Sequence, residues 1–273
     1  MQVGIFAKTF SGTDPRTVLS AVADSGYSAT QFNLACCGLP SMPDAVEAGT
    51  IAAIRDAADA SGVSLVALSG TYNMAHPDAA VRDTGLRQLE VVIKAASALA
   101  IPLVTLCTGS RNAADQWAHH PDNSDPSAWR DMAAEMAKAL RLAEDHGVTL
   151  GIEPEQANIV TSADDAMRLI AEMGSQRLRI VLDPANLFEA ATPATARSIV
   201  ARAVDTAAGH IAMAHAKDRH ADGSFATAGK GIVDFPDFLG RLKSAGFDGP
   251  LVTHGLSATE APGVAVFLKE LAG

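Results

Sequence analysis

The chain has 273 residues, of which 48% are hydrophobic and 19% charged, a composition typical of a folded globular protein rather than a disordered one. Its formal charge of −10 argues against a nucleic-acid partner, because binding to phosphate groups requires a basic face. No apolar run approaches the roughly 18 residues that a membrane-spanning helix needs, so we expect no membrane association.

Short apolar runs alternate with longer amphipathic segments along the whole chain, which predicts a parallel α/β fold. The predicted strands, in chain order, are Val3–Ala7, Ala29–Leu34, Val63–Leu68, Pro102–Leu106, Val148–Ile152, Leu178–Leu182, His210–Ala214 and Pro250–Thr253. The predicted helices follow them one by one, at about Pro15–Ser25, Asp44–Ser61, Asp78–Leu99, Ser127–His146, Ser162–Met173, Pro193–Ala208, Phe235–Ala245 and Ala258–Leu271.

Strict alternation of eight strands with eight helices favours a closed barrel over an open sheet. We therefore predict a single (β/α)8 TIM barrel that occupies residues 1–273 as one domain. The long connections all follow strands, namely Ser69–Pro77, Thr108–Pro126, Glu153–Thr161 and Ala216–Asp234. Because the loops after the strands build the active sites of such barrels, we expect the active site at the C-terminal ends of the strands.

Four polar residues, which we call the strand-end quartet, each directly follow one of the last four apolar runs: Glu153, Asp183, His215 and His254. A charge at the tip of a buried strand is costly unless it is paired. Any one of these residues could simply begin a loop, but four of them favour a shared metal site. Two carboxylates and two imidazoles suit Mn²⁺, Co²⁺, Fe²⁺ or Zn²⁺ better than Ca²⁺, which prefers oxygen ligands only.

The run His215-Ala216-Lys217-Asp218, with Glu153 and Asp183 on the preceding strands, resembles the sugar phosphate isomerase/epimerase family of xylose isomerase-like barrels. The resemblance extends to the segment Gly229–Phe235 and covers nearly the whole chain. It implies a divalent metal ion held by a Glu, an Asp, a His and a second Glu. The ion would bind a keto or hydroxy sugar while acid/base residues transfer a proton.

This chain departs from the family pattern at two positions. His254 stands where the family has its second Glu, and Asn186 stands where some members have a substrate-binding His. Imidazole ligates divalent ions well, so the metal site is compatible with the first exchange. The family's mechanism with two glutamates as paired bases, however, cannot be carried over unchanged.

Four residues are candidates for proton transfer. The resemblance suggests that Glu153 is both ligand and base, and strand alternation places Glu155 on the same face as an alternative or additional base. His254, if it is not a tight ligand, could return the proton, because an imidazole titrates near neutrality. Lys217 either neutralises charge on the intermediate or forms an ion pair with Asp218 or a ligand carboxylate.

The long loops contain the candidate substrate-binding residues, which are His76, Asn73, Arg111, Trp117, Asn158 and Asn186. Trp117 could form an apolar wall against a sugar face, and Arg111 could bind a carboxylate or phosphate. The amides of Asn158 and Asn186 could bond sugar hydroxyls without adding charge. His76 either contacts substrate hydroxyls or marks the entry to the helix that follows Pro77.

These features lead to one main functional hypothesis and several alternatives. The main hypothesis is a metal-dependent isomerase or epimerase that moves a proton next to the carbonyl of a small keto sugar or hydroxy-carbonyl compound, through an enediolate. A lyase or dehydratase acting on a keto-sugar or a dehydroshikimate-type substrate is the first alternative. A non-catalytic sugar-binding protein and an abasic-site endonuclease are the others. The metal identity stays open among Mn, Co, Zn and Mg.

The remaining expectations concern partners and location. A small sugar-like molecule is the expected ligand, and the exposed helices of a barrel make a homo-oligomer possible. The three cysteines, Cys36, Cys37 and Cys107, include no C-x-x-C pair and cannot build a disulfide framework. No basic leader precedes the first strand, so we expect a cytoplasmic enzyme.

Overall fold

The computed structural model describes residues 1–273 and contains a closed barrel of eight parallel strands surrounded by helices. The barrel strands are Gln2–Phe6 (β1), Ala29–Phe32 (β2), Ser64–Ser69 (β3), Leu103–Leu106 (β4), Thr149–Ile152 (β5), Leu178–Leu182 (β6), Ile211–Ala216 (β7) and Pro250–Thr253 (β10). A small antiparallel hairpin of Asp218–Arg219 (β8) and Phe225–Ala226 (β9) lies between the last two of them in the chain. The predicted fold class is therefore confirmed.

Every barrel strand is followed by a helix: Pro15–Asp24 (α1), Ala48–Ser61 (α2), Ala79–Ala98 (α3), Pro126–Asp145 (α4), Ala163–Met173 (α5), Pro193–Ala207 (α6), Phe235–Ser244 (α7) and Ala261–Ala272 (α8). Three of these begin with Asp14, Asp78 or Asp125 as an N-cap whose carboxylate accepts a backbone N–H of the first turn. The predicted elements are all present, and most boundaries differ by one or two residues.

Two helices begin three or four residues later than predicted, and in both cases a hydrogen-bonded polar side chain near the predicted start accounts for the difference. Helix α2 begins at Ala48 rather than at Asp44, whose carboxylate instead accepts a hydrogen bond from Gln88 on α3. Helix α8 begins at Ala261 rather than at Ala258, because the carboxylate of Glu260 accepts hydrogen bonds from the backbone and hydroxyl of Ser257. At each of these places a polar side chain near the predicted start is hydrogen-bonded to a group outside the helix.

Strand β7 is longer than predicted, which changes the position of one candidate ligand. It ends at Ala216 rather than at Ala214, so His215 lies inside the strand and not after it. The backbone of this segment pairs with β10, where His215 is opposite Val252. The fixed backbone leaves His215 little conformational freedom, which suits a residue that must hold a precise position.

The apolar core has two parts, one inside the barrel and one between the sheet and the helices. A small apolar cluster contains inward-facing residues from the strands, among them Leu103, Val181, Met213 and Val252. A much larger cluster of 66 buried residues packs the helices against the outside of the sheet. Burial of each large apolar side chain contributes roughly 1.5–3 kcal/mol, so this double core stabilises the rim on which the site is built.

Candidate metal and substrate site

The two-residue period of a β-strand brings the strand-end quartet together. Val181, Met213 and Val252 face the barrel interior, and Asp183, His215 and His254 each follow one of them by two residues. Glu153 has the same relation to Gly151 on β5. The quartet is therefore one layer of side chains above the apolar core, contributed by four neighbouring strands, and its possible ligand atoms all lie within 4.8 Å of one another.

The quartet is tightly packed. His254 Nε2 is 2.8 Å from Asp183 Oδ2, and His215 Nδ1 is 3.4 Å from Glu153 Oε1 and 3.7 Å from the same Asp183 oxygen. The two imidazole ring centroids are 4.4 Å apart. Asp183 and His215 are buried, whereas Glu153 and His254 keep part of their surface open to the cavity above.

One nitrogen of His215 provides a test of whether this group suits a cation. Its Nε2 is 2.9 Å from Oε1, the side-chain amide oxygen of Gln31, which can only accept, so Nε2 carries the proton. Nδ1 is buried without a hydrogen-bond partner and faces the carboxylates of Glu153 and Asp183. In the neutral ring, that lone pair facing two carboxylates suits a shared cation, and a partner on the other ring nitrogen is typical of metal-binding histidines. The donor set therefore fits a divalent metal ion.

The charges within the quartet favour the presence of a positive charge between its carboxylates. Burial alone would lower the pKa of His215, but the nearby negative charges of Glu153 and Asp183 raise it to about 9. Burial would raise the pKa of Asp183, but Lys217 and the two histidines hold it well below its usual range. The pKa of His254 is lowered by burial and by His215. The two carboxylates thus remain ionised and create a strong negative potential between them.

Asn186 and Lys217 form a hydrogen-bonded chain beside the quartet. The Asn186 amide donates to Glu153 Oε1 at 2.6 Å, and Lys217 Nζ donates to Asn186 Oδ1 at 2.7 Å. Lys217 Nζ also lies 3.5 Å from Asp183 Oδ2. Of the two ion pairs considered for Lys217, the structure contains the one with the candidate ligand Asp183 and not the one with Asp218.

Asp218 has a different role from its neighbours in the His215–Asp218 run. It is buried, and its two oxygens accept backbone N–H groups from Gly229 (3.1 Å), Gly231 (2.8 Å) and Val233 (2.9 Å) as well as from Arg219 (2.8 Å). A Cβ at position 231 would lie only 2.3 Å from the Arg219 carbonyl oxygen, so this approach requires glycine. The Gly229–Phe235 segment is therefore folded around the carboxylate of Asp218.

The quartet opens into a cavity of about 500 Å³. Glu153, His215 and His254 line it, while Asp183 lies beneath the surface. Glu155 also lines the cavity, as strand alternation predicts, and its carboxylate makes no hydrogen bond. Burial and the charge of Glu153 raise the pKa of Glu155 to about 7. Two carboxyl groups of different environment thus lie on one wall, which is an arrangement typical of acid/base sites.

Among the predicted substrate-binding residues, Trp117 and Asn186 line the cavity. Arg111 does not, and its guanidinium is occupied by Asp131 at 2.7 Å and by the Ala75 carbonyl at 3.1 Å. This pairing joins the loop after β3 to helix α4. An arginine whose donors are used in this way is not available to an anionic substrate group in the described conformation.

The three other predicted residues also hold loops together rather than face the cavity. Asn158 accepts from the Gly109 N–H at 2.8 Å and donates to the Gln116 carbonyl at 3.3 Å. Asn73 donates to the carbonyl of Ser110, and one ring nitrogen of His76 lies 3.3 Å from the Ala113 carbonyl. Their positions fix the shape of the long loop after β4, and so they act on the cavity only through that loop.

Several cavity residues were not selected from the sequence: Phe6, Gln31, Asn33, Ser41, Ser69, Thr71, Thr105, Gln116 and Phe225. Gln31 bonds Ser69 Oγ and Thr105 Oγ1, each at 3.1 Å, in addition to His215. Gln31 lies two residues after the inward-facing Ala29 on the buried strand β2. This spacing could have identified Gln31 from the sequence. Phe225, in the small hairpin, has no comparable signal.

No helix combines the length and the apolar character needed to cross a membrane.

Several solved structures of sugar epimerases have the same fold as this chain. A 3-keto-D-glucoside 4-epimerase from E. coli superposes with a TM-score of 0.78 at 16% identity, covering 99% of both chains. An L-ribulose 3-epimerase gives 0.79 at 19% identity, covering 99% of this chain and 94% of the other. A D-psicose 3-epimerase from Clostridium cellulolyticum H10, solved with D-tagatose, gives 0.75 at 16% identity, covering 100% and 99%.

Identities this low establish a shared fold only. No curated protein sequence matches the chain. The family model described as the xylose isomerase-like TIM barrel matches residues 19–270, which is nearly the whole chain. The chain therefore belongs to the xylose isomerase-like TIM barrel family.

Proposed function

We propose that the protein is a metal-dependent isomerase or epimerase that moves a proton next to the carbonyl of a small keto sugar or related hydroxy-carbonyl compound. The observation that carries this proposal is the strand-end quartet, with the unpartnered Nδ1 of His215 facing two ionised carboxylates at the floor of a polar cavity. Glu153, Asp183, His215 and His254 would hold one divalent cation. When bound, such an ion supplies Lewis acidity toward a carbonyl oxygen.

Glu153 is the base in this proposal. Its carboxylate is open to the cavity, and the amide of Asn186 orients one of its oxygens. Removing a proton from carbon requires a carboxylate within hydrogen-bond reach of the substrate, and Glu153 is the quartet carboxylate that the cavity exposes. The ammonium of Lys217, close to Asp183 and bonded to Asn186, stabilises negative charge that develops on a substrate oxygen.

The residue that returns the proton decides the product. Glu155 is on the same wall as Glu153, so a proton that Glu155 returns to the neighbouring carbon stays on one face of the substrate, which gives an isomerisation between adjacent carbons. His254 directly follows β10, on the other side of the quartet. If its ring is not bound to the ion, a proton that it returns to the same carbon inverts that carbon, as an epimerisation requires. Both side chains line the cavity.

Three similar structures are described as sugar epimerases, which supports this proposal as a known use of the barrel without identifying the substrate. No observation in the cavity favours elimination over proton transfer, so a lyase is not proposed.

The experiment that tests the proposal is deuterium exchange. Purified protein supplied with Mn²⁺, Co²⁺ or Zn²⁺ is incubated with C3–C6 ketoses in D₂O, and incorporation next to the carbonyl is followed by NMR. Glu153→Gln is expected to lower exchange by about 10²–10⁴-fold. Glu47→Gln is the matched control, because Glu47 is exposed and its carboxylate accepts no hydrogen bond at the start of α2. Near-normal exchange by the Glu153 variant would contradict the assignment.

A further inference from the structure

The cavity has two halves of different chemistry. The layer of inward-facing side chains that contains the strand-end quartet continues around the barrel onto β2, β3 and β4, where it consists of Gln31, Ser69 and Thr105. Each of these follows an inward-facing apolar residue of the barrel core by two positions. All three are uncharged, at most 8% exposed, and line the cavity. A charged half on β5 to β10 therefore faces a neutral polar half on β2 to β4.

The side-chain amide of Gln31 sets the direction of two hydroxyl groups in the neutral half. Its oxygen accepts from His215 Nε2 at 2.9 Å, so its NH₂ group faces the other way and donates to Ser69 Oγ and Thr105 Oγ1, each at 3.1 Å. Both hydroxyl oxygens act as acceptors in these contacts, and neither hydroxyl donates to an acceptor within the protein. Because both residues line the cavity, their two hydroxyl hydrogens are available to a ligand there.

Asn33 presents a third donor to the same side of the cavity. Its Oδ1 accepts from the backbone N–H of Ala35 and from Ser41 Oγ, both at 2.9 Å, which fixes the orientation of the amide. Its NH₂ group makes no hydrogen bond within the protein, although Asn33 is only 4% exposed and lines the cavity. Buried polar groups are normally hydrogen-bonded, so these hydrogens indicate an acceptor that the chain itself does not supply.

Lys8 adds a positive charge next to these donors. It follows β1, which is the neighbour of β2 in the barrel, and it lines the cavity. The other lysine of the cavity, Lys217, is bonded to Asn186 and lies beside Asp183, whereas Lys8 forms neither an ion pair nor a hydrogen bond. The four residues with free donors, which we call the donor wall, are Lys8, Asn33, Ser69 and Thr105.

The donor wall favours a group that accepts hydrogen bonds and brings no hydrogen of its own. A sugar hydroxyl brings a hydrogen that itself needs an acceptor, and the side-chain oxygens of Asn33, Ser69 and Thr105 already accept from neighbouring groups. An ionised carboxylate only accepts, with lone pairs on both of its oxygens. Hydrogen bonds to such a charged group are stronger than those to a neutral one, and the ammonium of Lys8 adds to the attraction.

The composition of the cavity favours a carboxylate over a phosphate. Phosphate sites commonly use backbone N–H groups at helix N-termini or in glycine-rich loops, together with arginine side chains. Neither an arginine nor a glycine lines this cavity. Ser69 and Thr105 are instead directly paired on the adjacent parallel strands β3 and β4. Their hydroxyls therefore lie side by side, as the two oxygens of a planar carboxylate require.

The donor wall is also close to the strand-end quartet, because the one amide group of Gln31 joins His215 to both hydroxyls. We infer that the donor wall binds a carboxylate of the substrate, so that the substrate class is a small keto acid or keto sugar acid whose carboxylate is apart from the reacting carbonyl. This inference rests on the proposed function for the position of the carbonyl at the quartet. The donor wall binds and orients the substrate and takes no part in the proton transfer.

Calorimetric titration in the presence of Zn²⁺ tests the donor wall with three six-carbon keto compounds. D-Fructose, D-fructuronate and D-fructose 6-phosphate differ only at carbon 6, which carries a hydroxyl, a carboxylate oxygen pair or a phosphate. D-Fructuronate is expected to bind at least about tenfold more tightly than D-fructose, a difference of about 1.4 kcal/mol, and more tightly than the phosphate. Equal affinity for D-fructose and D-fructuronate, or tightest binding of the phosphate, would overturn the inference.

Variants of the donor wall show whether it causes the preference. Ser69→Ala combined with Thr105→Val removes both hydroxyls at nearly constant volume and should remove most of the preference for D-fructuronate over D-fructose. Ser20→Ala, which removes an exposed hydroxyl on α1, is the matched control and should keep it. A preference that survives the double variant would overturn the inference, because another group would then hold the carboxylate.

Lys8→Met provides a second test that does not disturb the buried side chains, since Lys8 is exposed. It should lower the preference for D-fructuronate by about two- to fivefold, as the loss of an exposed ion pair does, and the effect should shrink at high salt. If the double variant does not fold, an unchanged preference in Lys8→Met would overturn the inference.

The outcomes separate this inference from the proposed function. Deuterium exchange on ketoses that depends on Glu153, with no preference for D-fructuronate, would overturn the carboxylate site and leave the proposed function intact. A preference for D-fructuronate that depends on Ser69 and Thr105, with no exchange on any of the keto compounds, would retain the carboxylate site and overturn the function.

Discussion

Asp218 provides the sharpest test of how this site is held, because its carboxylate binds backbone and nothing else. Asp218→Asn replaces one oxygen by an NH₂ group and keeps the volume nearly constant. In the native protein Oδ2 accepts the N–H groups of Gly229 and Gly231, and Oδ1 accepts those of Arg219 and Val233. Whichever way the amide turns, one pair of buried donors then faces another donor.

The magnitude follows from those two lost bonds. A hydrogen bond to a charged group contributes about 1.5–3 kcal/mol, and a buried donor left without a partner costs about 1–3 kcal/mol. Neighbouring bonds are not additive, so we expect Asp218→Asn to lower the free energy of unfolding by at least about 3 kcal/mol. That is a large part of the 5–15 kcal/mol typical of a folded domain.

Urea unfolding, followed by circular dichroism and extrapolated to zero denaturant, measures this difference. Asp59→Asn, which changes an exposed aspartate on α2, is the matched control and should stay within about 0.5 kcal/mol of the wild type. The reasoning would be refuted by an Asp218→Asn protein as stable as that control, because the four backbone donors would then be satisfied without the carboxylate.

The remaining predictions concern the metal ion. The wild-type protein should bind one divalent ion per chain after dialysis against Zn²⁺ or Co²⁺, measured by elemental analysis, and a chain that binds none would contradict the donor set. Gln31→Leu removes the acceptor that fixes the His215 ring and should weaken metal affinity by about 10–100-fold in calorimetric titration; an unchanged affinity would show that the glutamine does not orient the ligand. His254→Ala should weaken affinity further than Gln31→Leu, because it removes a proposed ligand rather than a support; the reverse order would place His254 outside the ligand set.

The fold and the strand-end quartet were predictable because both follow from short-range periodicity. Apolar runs followed by helical patterns specify the order of elements, and the two-residue period of a strand carries Glu153 and Asp183 to one layer once the barrel closes. Even the misplaced end of β7 left His215 in the correct layer, because the alternation does not depend on where the strand ends. Metal binding and catalysis by these residues remain predictions.

The walls of the cavity were less predictable because they depend on contacts between loops. Arg111 and Asn158 have the chemistry of substrate-binding residues, and nothing in their neighbours along the chain reveals that Asp131 and the Gly109 amide occupy them. Gln31 and His215 are 184 positions apart in the sequence, so their contact exists only after the barrel closes. The predicted homo-oligomer and cytoplasmic location stay predictions.

The exchange of the family's second Glu for His254 changes the charge of the site more than its shape. With both imidazoles neutral, the strand-end quartet carries a formal charge of −2 from Glu153 and Asp183, which a divalent cation cancels. A second Glu in place of His254 would leave the loaded quartet at −1. With His254 the loaded quartet is neutral and does not offset the positive charge of Lys217. That charge therefore acts more strongly on negative charge that develops on a nearby substrate oxygen. If the quartet holds a divalent ion as proposed, the exchange of Glu for His254 and the buried ammonium of Lys217 would therefore both favour an anionic reaction centre.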